Sequence, residues 1–302
     1  MRFLLVGASG FIGYHLVKKL GKFEQNFEKI VCSYFSNDYF STLSMNNDLF
    51  SSIKCDVSDI ESVKLTLNES KPDVILFMAS TRYFPKPRNS RDHENVNVFG
   101  LKNFIDYTKN SKFKTKLIFL NSGAADGSKT DYYSLSKTRA SDLFQTEKKS
   151  GNILGEEVRL FTPYGPRDYE YRLIQSITIK LLKDLEPVLN NPDSQRDFIH
   201  VQDVIDALIK IIFLQEECEE IIEIGSSLPT KTIDISKKIY EIMDVSKQVK
   251  IDSKSNNEEI VYMKANIEIA EKNLDWTPKI NIDDGISETV NWIRENYKKY
   301  YE

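Results

Sequence analysis

Gly7-Ala8-Ser9-Gly10-Phe11-Ile12-Gly13 joins a short apolar segment to an amphipathic one near the start of the chain. Residues 2–6, which are apolar after Arg2, are typical of a buried strand, and residues 11–22 have helical periodicity. Glycine at the first and fourth positions allows a tight turn, and glycine at the seventh lets the helix pack closely on the strand. The stretch therefore predicts a strand, a tight turn and a helix.

Such a turn predicts an anion site, because the helix N-terminus supplies unpaired N–H groups and a partial positive charge. A pyrophosphate fits it, and the spacing is GxxGxxG rather than the commoner GxGxxG. A plain glycine-rich loop is the alternative. We expect the contacts to a dinucleotide to come from Gly7, Ser9, Gly10, Phe11, Ile12 and Gly13.

Short apolar runs continue to alternate with longer amphipathic segments through the first half of the chain. Continuous apolar strands between helices predict a parallel sheet that is covered on both faces. The predicted strands after the first are residues 29–34, 52–55, 73–78, 116–121 and 155–160. The predicted helices after the first are residues 60–69, 93–109 and 132–149.

The pattern loosens after about residue 162, where proline and glycine cluster in Thr162-Pro163-Tyr164-Gly165-Pro166. Short strands near 187–189 and 220–224 lie among helices such as 201–215. We therefore predict an α/β fold: a Rossmann-type doubly wound parallel sheet with a smaller C-terminal α/β substrate-binding part. The dinucleotide-binding domain is expected at 1–162, with parts of 196–215 packing back on it, and the substrate-binding domain at 163–302.

Composition excludes several classes of function. The net charge of −4 over 302 residues provides no basic field for nucleic acid. The chain start lacks the features of a signal peptide, and no apolar run approaches the roughly 20 residues of a membrane span. Three cysteines without a CxxC pair favour reduced thiols and a cytoplasmic protein. The three histidines are far apart, and we expect no metal site.

The end of the second predicted strand bears on the choice of dinucleotide. NAD sites usually place an acid there for the ribose hydroxyls, but none occurs before Asp38. This favours NADP over NAD slightly, with Ser33 and Ser36 as phosphate partners; a surface loop is the alternative. After the third strand, Asp56-Val57 is placed to contact adenine, although Asp56 could equally be a turn or helix-capping residue.

Tyr133 and Lys137 form the predicted chemical centre. Their i, i+4 spacing places them on one helix face, where the cation favours the phenolate and lowers the usual tyrosine pKa of ~10. Such a tyrosine can exchange the proton of a reacting alcohol or ketone, and the lysine could also hold the nicotinamide ribose. Tyr14 and Lys18 share the spacing, but they lie on the phosphate-binding helix. Ser122 supports the later pair, because it follows a strand at the ligand-binding edge.

Together these residues resemble the extended short-chain dehydrogenase/reductase superfamily, in its nucleotide-sugar epimerase, dehydratase and reductase branch. The resemblance covers most of the chain. Its marks are GASGFIG at 7–13, Asp56-Val57, NVNVFG at 95–100, Ser122 with YSLSK at 133–137, RLFTPYGP at 159–166 and RDFIHVQDV at 196–204.

The resemblance implies an NAD- or NADP-dependent enzyme acting on a nucleotide-diphosphate sugar. Tyr133 would be the general acid/base, Lys137 its partner and Ser122 the third catalytic residue. Arg196 would grip the substrate diphosphate, for which a guanidinium fork is suited; an ion pair with Asp197 is the alternative. Helices 93–109 and 132–149 would form a homodimer interface. The remaining implied contacts are Ala79, Ser80 and Pro163 with the cofactor, and Thr81 and Thr162 with the substrate.

Departures from the family pattern suggest the reaction. Sugar 4,6-dehydratases place an Asp-Glu pair after the serine or threonine, where this chain has Gly123 and Ala124, so no dehydratase activity is expected. A 4-keto-sugar reductase that uses NADPH in making deoxysugars is slightly favoured over a 4-epimerase that retains NAD. Three features favour the reductase. The second strand lacks an acid at its end, the segment from Ser122 to Tyr133 is short, and Asn256 stands near where epimerases hold a second arginine.

Some proteins of this fold bind NADP only as sensors or scaffolds, and a non-catalytic role is the least favoured alternative. Additional sugar contacts are expected among loop residues, although plain exposed loops are the alternative for each. These candidates are Arg82, Tyr83, Arg167 and Tyr169.

Overall fold

The computed structural model describes residues 1–36, 48–81, 89–110, 114–127, 131–252 and 261–300. The chain divides into two compact units. The first comprises Met1–Leu160 and Leu208–Ile222, and the second comprises Phe161–Ala207 and Glu223–Glu302.

The first unit contains the predicted alternation of strands and helices. Its strands are β1 (Arg2–Val6), β2 (Lys29–Tyr34), β3 (Phe50–Lys54), β4 (Val74–Phe77), β5 (Lys116–Ser122) and β6 (Leu154–Leu160). Its helices are α1 (Phe11–Leu20), α2 (Ile60–Ser70), α3 (Ser90–His93), α4 (Leu101–Asn110) and α5 (Tyr132–Lys149).

These strands belong to a seven-stranded sheet of order β10-β6-β5-β4-β1-β2-β3, in which β10 (Ile222–Ile224) is an edge strand. All neighbours from β3 to β6 pair in parallel. The carboxyl ends of β1, β4 and β5 therefore lie at one edge of the sheet, which is the ligand-binding edge of such folds. The prediction of a Rossmann-type α/β fold is confirmed.

Aromatic packing fixes α5 on this sheet. The central strands β1 and β4 are buried and apolar on both faces, as expected for a covered parallel sheet. Phe119 of β5 packs against Phe144 of α5 with ring centroids 5.7 Å apart, and Phe77 of β4 packs against Phe104 of α4 at 5.2 Å. Because all four rings are fully or almost fully buried, they hold both helices in a defined register.

The helix predicted at 93–109 is interrupted. α3 ends at His93, Glu94–Gly100 form a π-helical segment, and α4 then follows. Asn97 in this segment is buried and bonds to three other residues, a feature that helical periodicity does not reveal. A Cβ atom on Gly100 would lie 2.8 Å from Val57 Cγ2, so the segment packs closely on the loop after β3.

The second unit has its own core of apolar residues, including Tyr164, Phe198, Ile239 and Val290. A three-stranded sheet has the order β11-β9-β7, and β12 pairs with β8 in parallel. Its strands are β7 (Thr162–Tyr164), β8 (Val188–Leu189), β9 (Gln195–His200), β11 (Pro229–Lys231) and β12 (Lys250–Ile251). Its helices are α6 (Leu173–Leu182), α8 (Thr232–Ile242), α9 (Glu268–Leu274) and α10 (Ile282–Tyr300), and α7 (Val201–Ile212) continues into the first unit.

Cys32, Cys55 and Cys218 are buried and form no disulfide bond. Among the described helices, none has the length and hydropathy needed to cross a membrane. The described residues also contain no cluster of potential metal ligands.

Candidate active site

The glycine turn has the tight geometry that a pyrophosphate requires. Gly7 has a φ of +79°, and a Cβ atom there would lie 2.9 Å from the backbone of Ala79. Gly13 faces Ala8 so closely that a Cβ atom would overlap its carbonyl oxygen. Gly10 is the N-cap of α1 and no side chain caps that end. The first turn of α1 therefore presents backbone N–H groups to an anion.

Residues at the end of β2 approach this turn. Ser33 is buried, and its hydroxyl accepts a hydrogen bond from the Gly7 N–H at 3.2 Å. Ser36 is exposed, and Asp38 lies outside the described residues. Ser33 thus supports the glycine turn, whereas Ser36 has a side chain open to solvent.

Asp56 and Val57 follow β3. One carboxylate oxygen of Asp56 accepts hydrogen bonds from the backbone N–H and hydroxyl of Ser58, at 2.9 and 2.7 Å. Asp56 therefore stabilises the turn after β3, which is the alternative to adenine binding that the sequence also allowed. Val57 is buried against Gly100.

Tyr133 and Lys137 share one face of α5. Asp131 caps this helix by accepting hydrogen bonds from the N–H groups of Tyr133 and Ser134, both at 3.1 Å. Lys137 is only 2% exposed. Its Nζ lies 5.9 Å from the centroid of the Tyr133 ring and 5.6 Å from that of Phe119.

The Lys137 side chain is almost fully buried, and no hydrogen bond or ion pair of its ammonium group is found in the described part of the chain. Burial lowers its pKa to about 8, and the negative charge of Glu157 opposes that shift. A buried cation of this kind is costly unless a partner is supplied, so the site is suited to a ligand that offers oxygen atoms.

Ser122 is the last residue of β5, at the same sheet edge as the glycine turn. Its hydroxyl accepts a hydrogen bond from the Ala124 N–H at 3.2 Å. That contact orients the side chain at the strand end and leaves its O–H proton to be donated elsewhere.

The residues after β4 form a buried polar group beside Tyr133. The Thr81 hydroxyl lies 2.5 Å from Nδ1 of His93, and the His93 ring meets the Tyr133 ring edge-on at 5.9 Å. Asn97 accepts hydrogen bonds from Ser80 Oγ and the Thr81 N–H. Ala79, Ser80 and Thr81 therefore line the same edge as the turn, and the Thr81 hydroxyl already bonds within the protein.

In the second unit, Arg196 lies on β9 and contacts Met263 Sδ at 3.9 Å. The proposed ion pair with Asp197 is not formed, since Asp197 accepts instead from Ser226, Ser227 and Ala265. Burial, followed by the nearby charge of Arg172, lowers the pKa of the Arg196 guanidinium. Arg196 thus presents a cation that no described carboxylate neutralises.

Arg172 is a candidate that the sequence reasoning missed. It precedes α6, its Nε lies 3.5 Å from Asp168, and it donates to the Pro163 carbonyl at 3.3 Å. Only its proximity to Arg196 makes it notable, and no motif reveals this because 24 residues separate them in sequence.

The other predicted substrate residues are dispersed. Thr162 pairs with Phe198 in the β7–β9 register. Arg167 lies over the Tyr300 ring at 4.9 Å, and Tyr169 stacks on Tyr171 at 5.6 Å. Arg82, Tyr83 and Asn256 lie outside the described residues.

Comparison with known proteins gives consistent results. A sequence model of the NAD dependent epimerase/dehydratase family matches residues 3–225. The dTDP-D-glucose 4,6-dehydratase of Bos taurus is 22% identical, over 99% of this chain and 90% of its own. The solved dTDP-glucose 4,6-dehydratase of Bacillus anthracis, in complex with NAD, has a TM-score of 0.86 and 20% identity, covering 99% and 98% of the two chains. The solved UDP-glucose 4-epimerase of Thermotoga maritima, with UDP-glucose, has a TM-score of 0.84 and 19% sequence identity. The match covers 98% of this chain and 100% of the epimerase.

These comparisons correct one prediction. Gly123 and Ala124 were expected to exclude dehydratase activity, but dehydratases are among the most similar sequences and solved structures. The exclusion of dehydratase activity is therefore wrong. Two residues in a short helical turn after β5 do not outweigh the similarity in sequence and in structure to dehydratases. Dehydration therefore stays among the reactions that an assay must cover.

Proposed function

Because this chain belongs to the NAD dependent epimerase/dehydratase family, we propose that it transfers hydride at C4 of a nucleotide-activated sugar. The observation that carries the proposal is the almost fully buried Lys137 side chain, whose ammonium group lies beside the Tyr133 ring with no acceptor among the described residues. A phenol at the ligand-binding edge of the sheet, with an unpaired ammonium group beside it, is suited to exchange a proton with a sugar hydroxyl or ketone.

Each group has a distinct part in this proposal. Tyr133 gives or takes the proton of the C4 oxygen, and the Lys137 charge favours the phenolate. Ser122 hydrogen-bonds the same sugar oxygen, with its own acceptor site held by the Ala124 N–H. His93 meets Tyr133 edge-on and restricts the orientation of its ring.

The residues of the first unit fit a nicotinamide dinucleotide. The turn from Gly7 to Gly13 would hold its pyrophosphate, since Gly7 and Gly13 leave no room for side chains against Ala79 and Ala8 and the start of α1 has no side-chain cap. Lys137 would hold the nicotinamide ribose through hydroxyl groups that supply its missing acceptors. When bound, the dinucleotide supplies the hydride donor or acceptor.

NADP is the dinucleotide that we propose, although the solved Bacillus anthracis neighbour contains NAD. The described end of β2 has no acid that would repel a 2′-phosphate. Ser36 is exposed and free to bond it, whereas the Ser33 hydroxyl bonds the glycine turn.

Arg196 and Arg172 are the proposed binding groups for the substrate diphosphate. A half-buried guanidinium with no carboxylate partner among the described residues is suited to phosphate oxygens, and the nearby Arg172, although paired with Asp168, adds a second positive charge. Tyr171 and Leu173, which precede and follow Arg172 in the sequence, line a cavity of about 240 Å³ in the second unit.

The proposed direction is reduction of a 4-keto sugar by NADPH, as the missing acid and the short segment after Ser122 suggest. Epimerisation at C4 is the second candidate, and it is favoured by the likeness to the Thermotoga maritima epimerase. Both reactions use the same Tyr133, Lys137 and Ser122.

A homodimer is also proposed, through the face formed by the π-helical segment with α4 and the face of α5. Phe99 in the π-helical segment is 52% exposed and Leu135 in α5 is 36% exposed, so each of the two faces offers one apolar side chain to a partner. Leu135→Glu should convert a dimer to a monomer in sedimentation experiments. A monomeric wild type would contradict this part of the proposal.

One assay separates the reactions. Purified protein is incubated with 4-keto nucleotide sugars and NADPH or NADH, and separately with saturated nucleotide hexoses without added cofactor. Loss of NADPH absorbance indicates a reductase, interconverted hexoses indicate an epimerase, and a 4-keto-6-deoxy product indicates a dehydratase. Absence of all three, or equal turnover by Tyr133→Phe, would contradict hydride transfer at C4.

A further inference from the structure

Glu157 is a buried acid that the proposed chemistry leaves unused. It lies in the middle of β6, and its side chain has no exposed surface. A carboxylate inside a parallel sheet is strongly unfavourable unless hydrogen bonds and opposite charges compensate it. Its presence therefore needs a physical reason.

Four side chains satisfy this carboxylate. Asn121 Nδ2 and Gln145 Nε2 each donate to it at 2.8 Å, and the Ser141 hydroxyl lies 2.7 and 2.9 Å from its two oxygens. Arg159 Nε lies 3.4 Å away. Since Glu157 accepts in every contact, it has the hydrogen-bonding pattern of an ionised carboxylate.

These same contacts connect Glu157 to Lys137. Asn121 Nδ2 also donates to the Lys137 backbone carbonyl at 3.3 Å, and Ser141 lies one helical turn after Lys137. In the β5–β6 register Glu157 is paired with Phe119, whose ring lies under Lys137 Nζ. Paired residues of parallel strands point to the same face, so the carboxylate and the ammonium group share one side of the sheet.

We propose that Glu157 is the positioning residue and buried counter-charge of Lys137, which it holds in place through Asn121 and Ser141. The inference rests on the proposed catalytic role of Lys137. It explains why a cation can be buried at 2% exposure beside two aromatic rings without forming an ion pair.

The electrostatic consequence has a definite direction. Burial lowers the pKa of Lys137 to about 8, and Glu157 is the charge that raises it again. Without that charge, the ammonium group would lose its proton at lower pH, and Tyr133 would lose its cation. The other titratable groups facing this pair are Arg159 from β6, Tyr133 on α5 and His93 from α3.

The neighbouring Glu156 provides a matched control. It too has no exposed side-chain surface, but its carboxylate pairs with Lys148 at 3.0 Å and accepts from the Cys218 N–H at 3.0 Å. Glu156→Gln and Glu157→Gln are therefore the same nearly isosteric change at adjacent positions of one strand, and only the second removes the charge on the Lys137 face.

The test is an NMR titration of the lysine side chains in the full chain without substrate, with the Lys137 signal assigned by its loss in Lys137→Arg. Glu157→Gln should lower the Lys137 pKa by about one unit, and Glu156→Gln should leave it unchanged. With substrate, the alkaline limb of the pH–rate profile should shift by the same amount. Glu157→Asp, which keeps the charge, should restore most of the pKa.

An unchanged Lys137 pKa in Glu157→Gln would overturn the inference but leave the proposed function intact, since the titration needs no turnover. Unchanged turnover by Tyr133→Phe would refute the function itself. If Glu157→Gln is too unstable, Lys137→Met combined with Glu157→Gln decides the matter. Recovery of stability in the double variant supports the pairing, and an equal cost of Glu157→Gln in both backgrounds overturns it.

Discussion

Helices α1 and α5 carry the same tyrosine–lysine pair in different surroundings. Lys18 Nζ lies 5.6 Å from the Tyr14 ring, and Lys137 Nζ lies 5.9 Å from the Tyr133 ring. Lys18 is exposed to solvent, whereas Lys137 is 2% exposed. The pairs thus agree in spacing and geometry but differ in burial, and only a buried cation acts at low dielectric on its neighbour. Burial rather than spacing marks the pair on α5 as a candidate for chemistry.

The largest expected effect comes from removing each phenol in turn. Tyr133→Phe should lower kcat by about 10²–10⁴-fold, which is the usual contribution of a positioned acid/base group. Tyr14→Phe should change kcat little, because Tyr14 contacts the exposed Lys18 and the His15 ring. Steady-state rates of both variants on the substrate found by the assay make the comparison. Equal losses would remove the distinction between the two helices.

Removing each ammonium group should separate activity from stability. A pKa that falls from 10.5 to about 8 corresponds to about 3 kcal/mol of unfavourable burial. Lys137→Met should therefore raise the free energy of unfolding by up to about this amount while abolishing activity. Lys18→Met should change stability by less than about 0.5 kcal/mol, as is usual at the surface. Urea unfolding of the dinucleotide-free protein measures both.

The stabilisation by Lys137→Met should also depend on pH. Below pH 8 the lysine is charged in both the folded and unfolded states, so the full cost of burial is present. Between about 8 and 10.5 the folded state loses its proton first, and the wild type gains stability relative to the variant. The difference should vanish above pH 10.5. A difference that is constant with pH would show that lost packing, not charge, is responsible.

Local patterns predicted the first unit well and the second poorly. The structure has β1, β2 and α5 at the predicted bounds, because each is a continuous apolar or periodic segment. The strands β7, β9 and β11 form a sheet from residues up to 69 positions apart, so no local pattern indicates it. The π-helical segment was missed because the helical pattern of the sequence continues through it, and the buried hydrogen bonds of Asn97 are made with residues outside the segment.

The site shows the same limit. The glycine turn and the Tyr133–Lys137 pair can be read from short motifs, since their geometry is local, and their roles remain predictions. Burial of Lys137 depends on Phe119 and Glu157, which belong to two different strands, and a glutamate inside a strand resembles a solvent-facing residue in the sequence. Arg172 approaches Arg196 only through the fold of the second unit. Contacts between residues that are distant in the sequence therefore could not be predicted from it.

The smallest expected effect tests α1 itself, whose proposed function lies in its N-terminus rather than its Tyr14–Lys18 pair. Gly13→Ala places a methyl group on the Ala8 backbone, which forces the turn to shift at a cost of about 1–3 kcal/mol. Dinucleotide affinity should fall by about five- to hundredfold. Gly21→Ala, at the other end of α1, has open space around it and helical φ, so affinity should stay unchanged. Since both variants add one methyl group to the same helix, equal affinities in a binding titration would argue that the turn does not hold the pyrophosphate.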